Sequence, residues 1–222
     1  MTMASIRAVI FDLDGVLLDS EALWDEVRRG LAADAAVPWP ADATRAMQGM
    51  STPEWSGYLA GTVGVPGGPE QLAGRVIDAL AESYRHRLPL IPGAADAVAR
   101  LAGRWRLGLA SSSPRRLIDT VLAAGGMTDM FEVTVSTEEV EAGKPSPAVY
   151  LETARRLEVP PGEAVAIEDS SNGLRSAHAA GLIVVAIPHA DFPPADDALG
   201  LAAAQLDSLA DVTPDLIDRL RG

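Results

Sequence analysis

The chain of 222 residues contains no cysteine, one lysine, three histidines and only 5% aromatic residues. Without cysteine there is no disulfide framework, no thiolate nucleophile and no cysteine-ligated metal. No run reaches the roughly 18 consecutive apolar residues of a membrane-spanning helix. Positive charge is also scarce: Lys+Arg number 18 against 31 Asp+Glu, a net charge of -13. Nucleic acid and anionic membrane surfaces both require clustered Lys and Arg, so this balance predicts neither as a partner. An anionic ligand would need local positive charge set against an unfavourable overall field. The opening residues run straight into a strand and an acidic loop, which predicts no secretory signal and a cytoplasmic location.

What is present is informative. Hydrophobic content of 48% is ample for a packed interior, and the length suits one large domain or a core with a smaller insert. The stretch Arg7-Ala-Val-Ile-Phe-Asp-Leu-Asp-Gly-Val-Leu-Leu-Asp-Ser20 opens with four apolar residues that read as a buried parallel strand. It breaks into Asp12-Leu13-Asp14-Gly15. Side chains two apart on a strand point the same way, so Asp12 and Asp14 are expected to face one cavity. Adjacent carboxylates repel unless a cation or shared proton neutralises them.

From residue 21 to 88 no strong strand appears. Amphipathic helical stretches at 21–33 and 70–88 alternate with breaks at 38–40 and 64–69. Beyond Pro92-Gly93 strands and helices alternate: strands at 106–110, 131–135, 164–168 and 182–187, helices near 94–103, 114–125, 146–157 and 172–180. A closing helix is expected at 214–220. This order predicts an α/β fold with a doubly wound parallel sheet, whose ligands bind at the carboxyl ends of the strands. The expected domains are a core of 1–19 plus 90–222 and a helical insert of 20–89, hinged near Ser20 and 89–92. Nothing marks an association surface, so a monomer is expected.

The residues past each strand end form a pattern. The first strand delivers Asp12 and Asp14. The second delivers Ser111-Ser112-Ser113-Pro114, hydroxyls and N–H groups at a helix start, suited to an anion. Gly143-Lys144-Pro145 follows the third, and Glu168-Asp169-Ser170-Ser171-Asn172-Gly173 the fourth. Lys144 is the only lysine, with arginine at every other Lys/Arg position. A compact ammonium fits between a phosphate oxygen and a carboxylate where a planar guanidinium would not.

Asp12-Leu-Asp14-Gly-Val, Ser111, Lys144-Pro and Glu168-Asp169 resemble the four signature motifs of haloacid-dehalogenase-superfamily (HAD) phosphatases, over residues 6–20 and about 90–190. Within that superfamily the segments 12–24, 109–114 and 168–173 are similar to the sugar-phosphate phosphatases related to β-phosphoglucomutase. The resemblance implies a Rossmann-like HAD core with a helical cap inserted after strand one. It also implies an Mg²⁺-dependent phosphatase acting on a small phosphate monoester, here a hexose or related sugar phosphate, through an aspartyl phosphate. Dehalogenases of the superfamily lack the second aspartate, so Asp14 argues against halide displacement.

The implied roles follow. Asp12 is the nucleophile, dividing a hard hydrolysis into two displacements. Asp14 protonates the leaving alcohol and then activates water. Mg²⁺ would be held by the side chains of Asp12 and Asp169, the backbone carbonyl of Asp14 and, through water, Glu168. Ser111, Ser112, Lys144 and the N–H of Leu13 would hold phosphoryl oxygens. Glu21, Trp24, Gly49 and Ser51 are the insert's substrate candidates, though Trp24 reads equally as core and Gly49-Met50-Ser51 equally as an ordinary turn. Ser113 and Asn172 read as helix caps, Glu138-Glu139-Val140-Glu141 as a solvated face, and His86, His178 and His189 as structural or surface residues. Three alternatives stand beside this reading: a β-phosphoglucomutase-type mutase, a phosphoglycolate-type phosphatase, and a non-catalytic phospho-accepting protein. Against the mutase, Thr52 stands where a basic residue is expected, and Trp24 near an expected histidine. Arg45, Arg75, Arg85 and Arg87 could supply that missing charge.

Overall fold

The computed structural model describes residues 5–47, 50–189 and 193–220. Strand β1 (Ala8–Phe11) is followed by helices α1 (Glu21–Asp34), α2 (Ala43–Ala46), α3 (Thr52–Tyr58) and α4 (Pro69–His86). Then come α5 (Ala94–Ala102), β2 (Arg106–Ser111), α6 (Arg115–Ala124), β3 (Val133–Ser136), α7 (Ala148–Arg156), β4 (Ala164–Glu168), α8 (Ser171–Ala179) and β5 (Ile183–Ala186). The chain closes through α9 (Asp196–Leu199), β6 (Ala204–Gln205) and α10 (Pro214–Arg219). The expected doubly wound parallel sheet is present, in strand order β3-β2-β1-β4-β5-β6. Every neighbouring pair is parallel.

Strand β1 is central because its four residues are apolar and all are buried. Its period-two alternation sends Val9 and Phe11 to one face and Ala8 and Ile10 to the other, each face joining its own apolar cluster. Fully burying a Val, Ile or Phe side chain stabilises by about 1.5–3 kcal/mol, so the sheet is anchored here. The chain leaves β1 toward β2 and β3, then crosses back to β4. The strand order therefore reverses beside β1, which opens a crevice at the carboxyl ends of β1 and β4.

Two differences from the sequence reading have simple causes. Strand β3 starts at Val133 rather than 131 because Phe131 turns inward and packs edge-on against Phe11, with ring centroids 6.1 Å apart. The two-residue strand β6 is too short to give a periodic signal.

In the insert, α1 buries Trp24, Arg28, Leu31 and Ala32 along one stripe, and α4 buries Leu72, Val76, Leu80 and Tyr84. The two connections between insert and sheet lie side by side. Asp19 N donates to Pro89 O at 2.8 Å and Ile91 N to Leu17 O at 3.0 Å. An ion pair between Asp78 on α4 and Arg116 on α6 joins the insert to the core.

Candidate active site

Four chain segments meet at the crevice. Lys144 Nζ donates to Asp12 Oδ1 at 2.8 Å, to Glu168 Oε1 at 2.6 Å and to Ala110 O at 3.0 Å. All three ammonium protons are thus spent on the ends of β1, β2 and β4. Glu168 is fully buried, and Tyr150 on α7 also donates to its Oε1, at 2.7 Å. Its Oε2 accepts from Asp169 N at 3.2 Å and Ser170 Oγ at 3.3 Å. Gly173 makes room for this carboxylate: a Cβ there would lie 1.9 Å from it. Gly15, at φ +83, does the same for Asp169, whose Oδ2 a Cβ would approach to 1.9 Å.

Asp12, Glu168 and Asp169 each offer a carboxylate oxygen, and the three atoms lie within 4.8 Å of one another. Burial pushes the Asp12 carboxyl up to about 7, with Lys144 opposing and Glu168 reinforcing the shift. Burial, then Glu168 and Asp12, push Asp169 well above the usual carboxylate range. One ammonium does not neutralise three carboxylates, and Asp169 Oδ1 is buried without a hydrogen-bond partner. An all-oxygen donor set with an orphaned carboxylate oxygen fits a hard divalent cation.

Asp14 is held differently from Asp12. Ser20 Oγ donates to its Oδ1 at 2.5 Å and Ser113 Oγ to its Oδ2 at 2.6 Å. Both aspartates line a cavity of about 730 Å³ together with Glu21, Ser112, Lys144 and Asp169. They face one space, as expected, yet one engages a cation and the other two hydroxyls.

The remaining expectations fare unevenly. Leu13 is fully buried, and its carbonyl accepts the N–H groups of Val16, Leu17 and Leu18. Ser112 lines both this cavity and a smaller one of about 80 Å³. Ser111 lines neither: it is fully buried as the last residue of β2, and its Oγ accepts Ser113 N at 3.0 Å. Glu21 lines both cavities, and burial, followed by the Asp14 charge, pushes its carboxyl up. Trp24 is buried edge-on against Trp55, at 5.7 Å between centroids, and borders the smaller cavity, so it serves as core and wall together. Ser51 lines neither cavity, because its N–H and Oγ both bond Glu54 Oε2 in a capping box that starts α3. Gly49 lies outside the described residues.

Ser113 is not a helix cap. Pro114 occupies the cap position of α6, and the Ser113 hydroxyl is spent on Asp14. Asn172 lies inside α8, whose cap is Ser170, accepting from Gly173 N at 3.1 Å. Nor is residues 138–141 simply a solvated face. Glu138 accepts Arg115 N at 2.9 Å, and Glu139 pairs with Arg115 and Arg156. His189 borders the larger cavity, 3.8 Å from Asp19. Sequence reasoning missed Ser20, Tyr150 and Arg28 as site residues.

The parallel sheet, its acidic carboxyl edge and the helical insert beside it define a capped α/β phosphatase. A model of the haloacid dehalogenase-like hydrolases matches residues 6–181, and the chain belongs to that family. It is similar to Hexitol phosphatase B of Escherichia coli (strain K12), 35% identical over 224 residues that cover 96% of either chain. It is also similar to the phosphorylated carbohydrates phosphatase of Thermotoga maritima, at 33% identity over 80% of this chain and 82% of that one. A solved structure of a CbbY variant from Rhodobacter sphaeroides, in complex with xylulose-(1,5)bisphosphate, superposes with a TM-score of 0.80. It is 28% identical and covers 93% of this chain and 96% of that one.

Proposed function

We propose that the protein is an Mg²⁺-dependent phosphatase that hydrolyses a hexose or hexitol phosphate through an aspartyl phosphate. The observation that carries this reading is the division of labour between the two aspartates: Asp12 on Lys144, Asp14 between two hydroxyls. The names of the two curated relatives support the carbohydrate phosphate as substrate.

Lys144 engages Asp12 Oδ1, leaving Oδ2 to attack phosphorus. The P–O bond to the substrate alcohol breaks as Asp14 gives that oxygen its proton. Water then attacks the acyl phosphate, Asp14 takes the water proton, and inorganic phosphate leaves with Asp12 regenerated. Ser20 and Ser113 hold the Asp14 carboxyl steady through both proton transfers. Ser112 and the N–H groups near Leu13 supply donors to phosphoryl oxygens, and the Lys144 ammonium, its protons engaged by Asp12, Glu168 and Ala110 O, offsets their charge. Asp12, Asp169 and the Asp14 carbonyl would hold Mg²⁺, with Glu168 acting through water; the ion would offset phosphoryl charge. Residues 20–89 form the cap in this reading, with the paired connections at Asp19 and Pro89 as its hinge.

The test is phosphate release from hexose and hexitol phosphates, phosphoglycolate and nucleotide monophosphates, with Mg²⁺ or chelator, beside Asp12→Asn. Mg²⁺-dependent release of phosphate from the carbohydrate phosphates, lost in D12N, is the expected result. Isomerisation of β-glucose 1-phosphate with a bisphosphate primer, without net release, would replace this reading by the mutase.

A further inference from the structure

Helix α1 places Glu21, Trp24 and Arg28 three and seven residues apart, on one face. All three border the smaller cavity, with Asp14, Trp55 and Ser113. Arg28 is only 8% exposed. Its guanidinium carbon lies 4.6 Å from the Trp24 ring centroid and 4.9 Å from that of Trp55. These cation–π contacts hold the group but satisfy none of its N–H donors. Among the described residues the guanidinium makes no hydrogen bond and no ion pair, and its Nε is buried with no partner. A buried arginine retained for structure is ordinarily paired, because stranded donors are costly.

Burial pulls the Arg28 pKa down, to about 10, so the group still carries its charge near neutrality. Glu21 faces the same cavity and forms no ion pair with it among the described residues. Two opposite charges thus border one small space with nothing bridging them. A carboxylate or second phosphate placed there would meet Glu21 and Asp14. A hydroxyl group is not repelled by those carboxyl groups: it can accept from Arg28 and donate to Glu21 at once. The cavity of about 80 Å³ has room for hydroxyl-bearing atoms of a substrate.

We infer that Arg28 is a specificity-determining residue, donating to hydroxyl oxygens of a neutral polyol leaving group whose hydroxyl protons are accepted by Glu21. The inference rests on the phosphatase reading above and names the part of the substrate that the insert selects. It is tested by comparing kcat/KM for a hexitol phosphate with kcat/KM for acetyl phosphate, which carries no hydroxyl group, in wild type, Arg28→Met and Arg28→Lys. Loss of a charge-assisted hydrogen bond predicts that R28M lowers the ratio of the two by about 10–100-fold, mainly through KM. R28K is expected to recover part of that loss. An unchanged ratio in R28M, even with a lowered Tm, assigns Arg28 to structure and overturns the inference. If R28M does not fold, R28K decides: a ratio lowered about threefold or more supports the inference, and an unchanged ratio overturns it. Wild type that releases phosphate from neither compound overturns the phosphatase reading, and this inference with it. Wild type active on both, with a ratio indifferent to Arg28, overturns the inference alone.

Discussion

Ser113 donates to Asp14 Oδ2 at 2.6 Å across 99 positions of sequence, while Ser20 holds the other oxygen. Asp14 is thereby fixed from the loop after β2 and from the threshold of α1, one partner on each side of the crevice. Each hydroxyl should contribute to kcat by orienting the carboxyl, without touching phosphate. Ser113→Ala is expected to lower kcat about tenfold, the cost of one hydrogen bond to a charged group, with KM within twofold. The S20A/S113A double variant should approach the 10²–10⁴-fold loss of an absent general acid. A KM effect as large as the kcat effect would show that Ser113 binds substrate instead.

Lys144 is the keystone of the buried charges, and it is the chain's only lysine. Its removal leaves Asp12 and Glu168 facing each other without a cation. Breaking such a buried pair costs about 3–5 kcal/mol, so Lys144→Met should lose both activity and a large part of stability. Lys144→Arg should not restore activity, because a planar fork cannot reach Asp12, Glu168 and Ala110 O as one compact ammonium does. Thermal melts and phosphate release on both variants check this, and an active K144R would refute it.

What was legible in the sequence follows from geometry that strands impose. Buried parallel strands are continuous apolar runs, and all of them end on one edge, so Asp12, Lys144, Glu168 and Asp169 had to converge. The serines at the end of β2 and just beyond it were not separable. Which of Ser111, Ser112 and Ser113 faces the crevice depends on the turn in which Ser113 N–H bonds Ser111 Oγ. Ser51 carried a readable signal, since Ser51-Thr-Pro-Glu54 has the spacing of a capping box. Arg28 had none. An amphipathic reading of α1 puts an arginine outside, and it is Trp55, from a different helix, that closes over it alongside Trp24.

The acidic cluster sets a pH dependence of stability. A carboxyl whose folded pKa exceeds its unfolded value keeps its proton longer in the folded chain. With Asp12 raised from 3.8 to about 7, and Asp169 also raised well above its usual range by burial, the metal-free protein loses stability as pH rises from about 4 to 7. Mg²⁺ competes with these protons, so its stabilising effect should be smaller at pH 5 than at pH 8. At a hundred times its Kd the ion should raise Tm by roughly 5–10 °C at pH 8. Melts with Mg²⁺ or chelator at both pH values measure this, and equal shifts at the two would count against the cluster as the binding site.

Glu139 gives the opposite dependence at a place remote from the chemistry. Burial pushes its carboxyl up, but the Ser136 N–H and the Arg115 and Arg156 guanidinium groups outweigh that and hold it at about 2. The stability it contributes is therefore present above its unfolded value near 4.5 and lost as pH falls toward 2. Because this group ties the start of α6 to the end of α7 and β3, Glu139→Gln should destabilise the protein near neutrality by about 1 kcal/mol, discounted for solvent screening. The difference between E139Q and wild type should shrink steadily below pH 4.5 and be largely lost near pH 2, where wild type protonates the same carboxyl. Urea unfolding at pH 7, 4 and 2.5 reads the convergence. A difference constant across those values would mean that packing, not charge, is what Glu139 contributes.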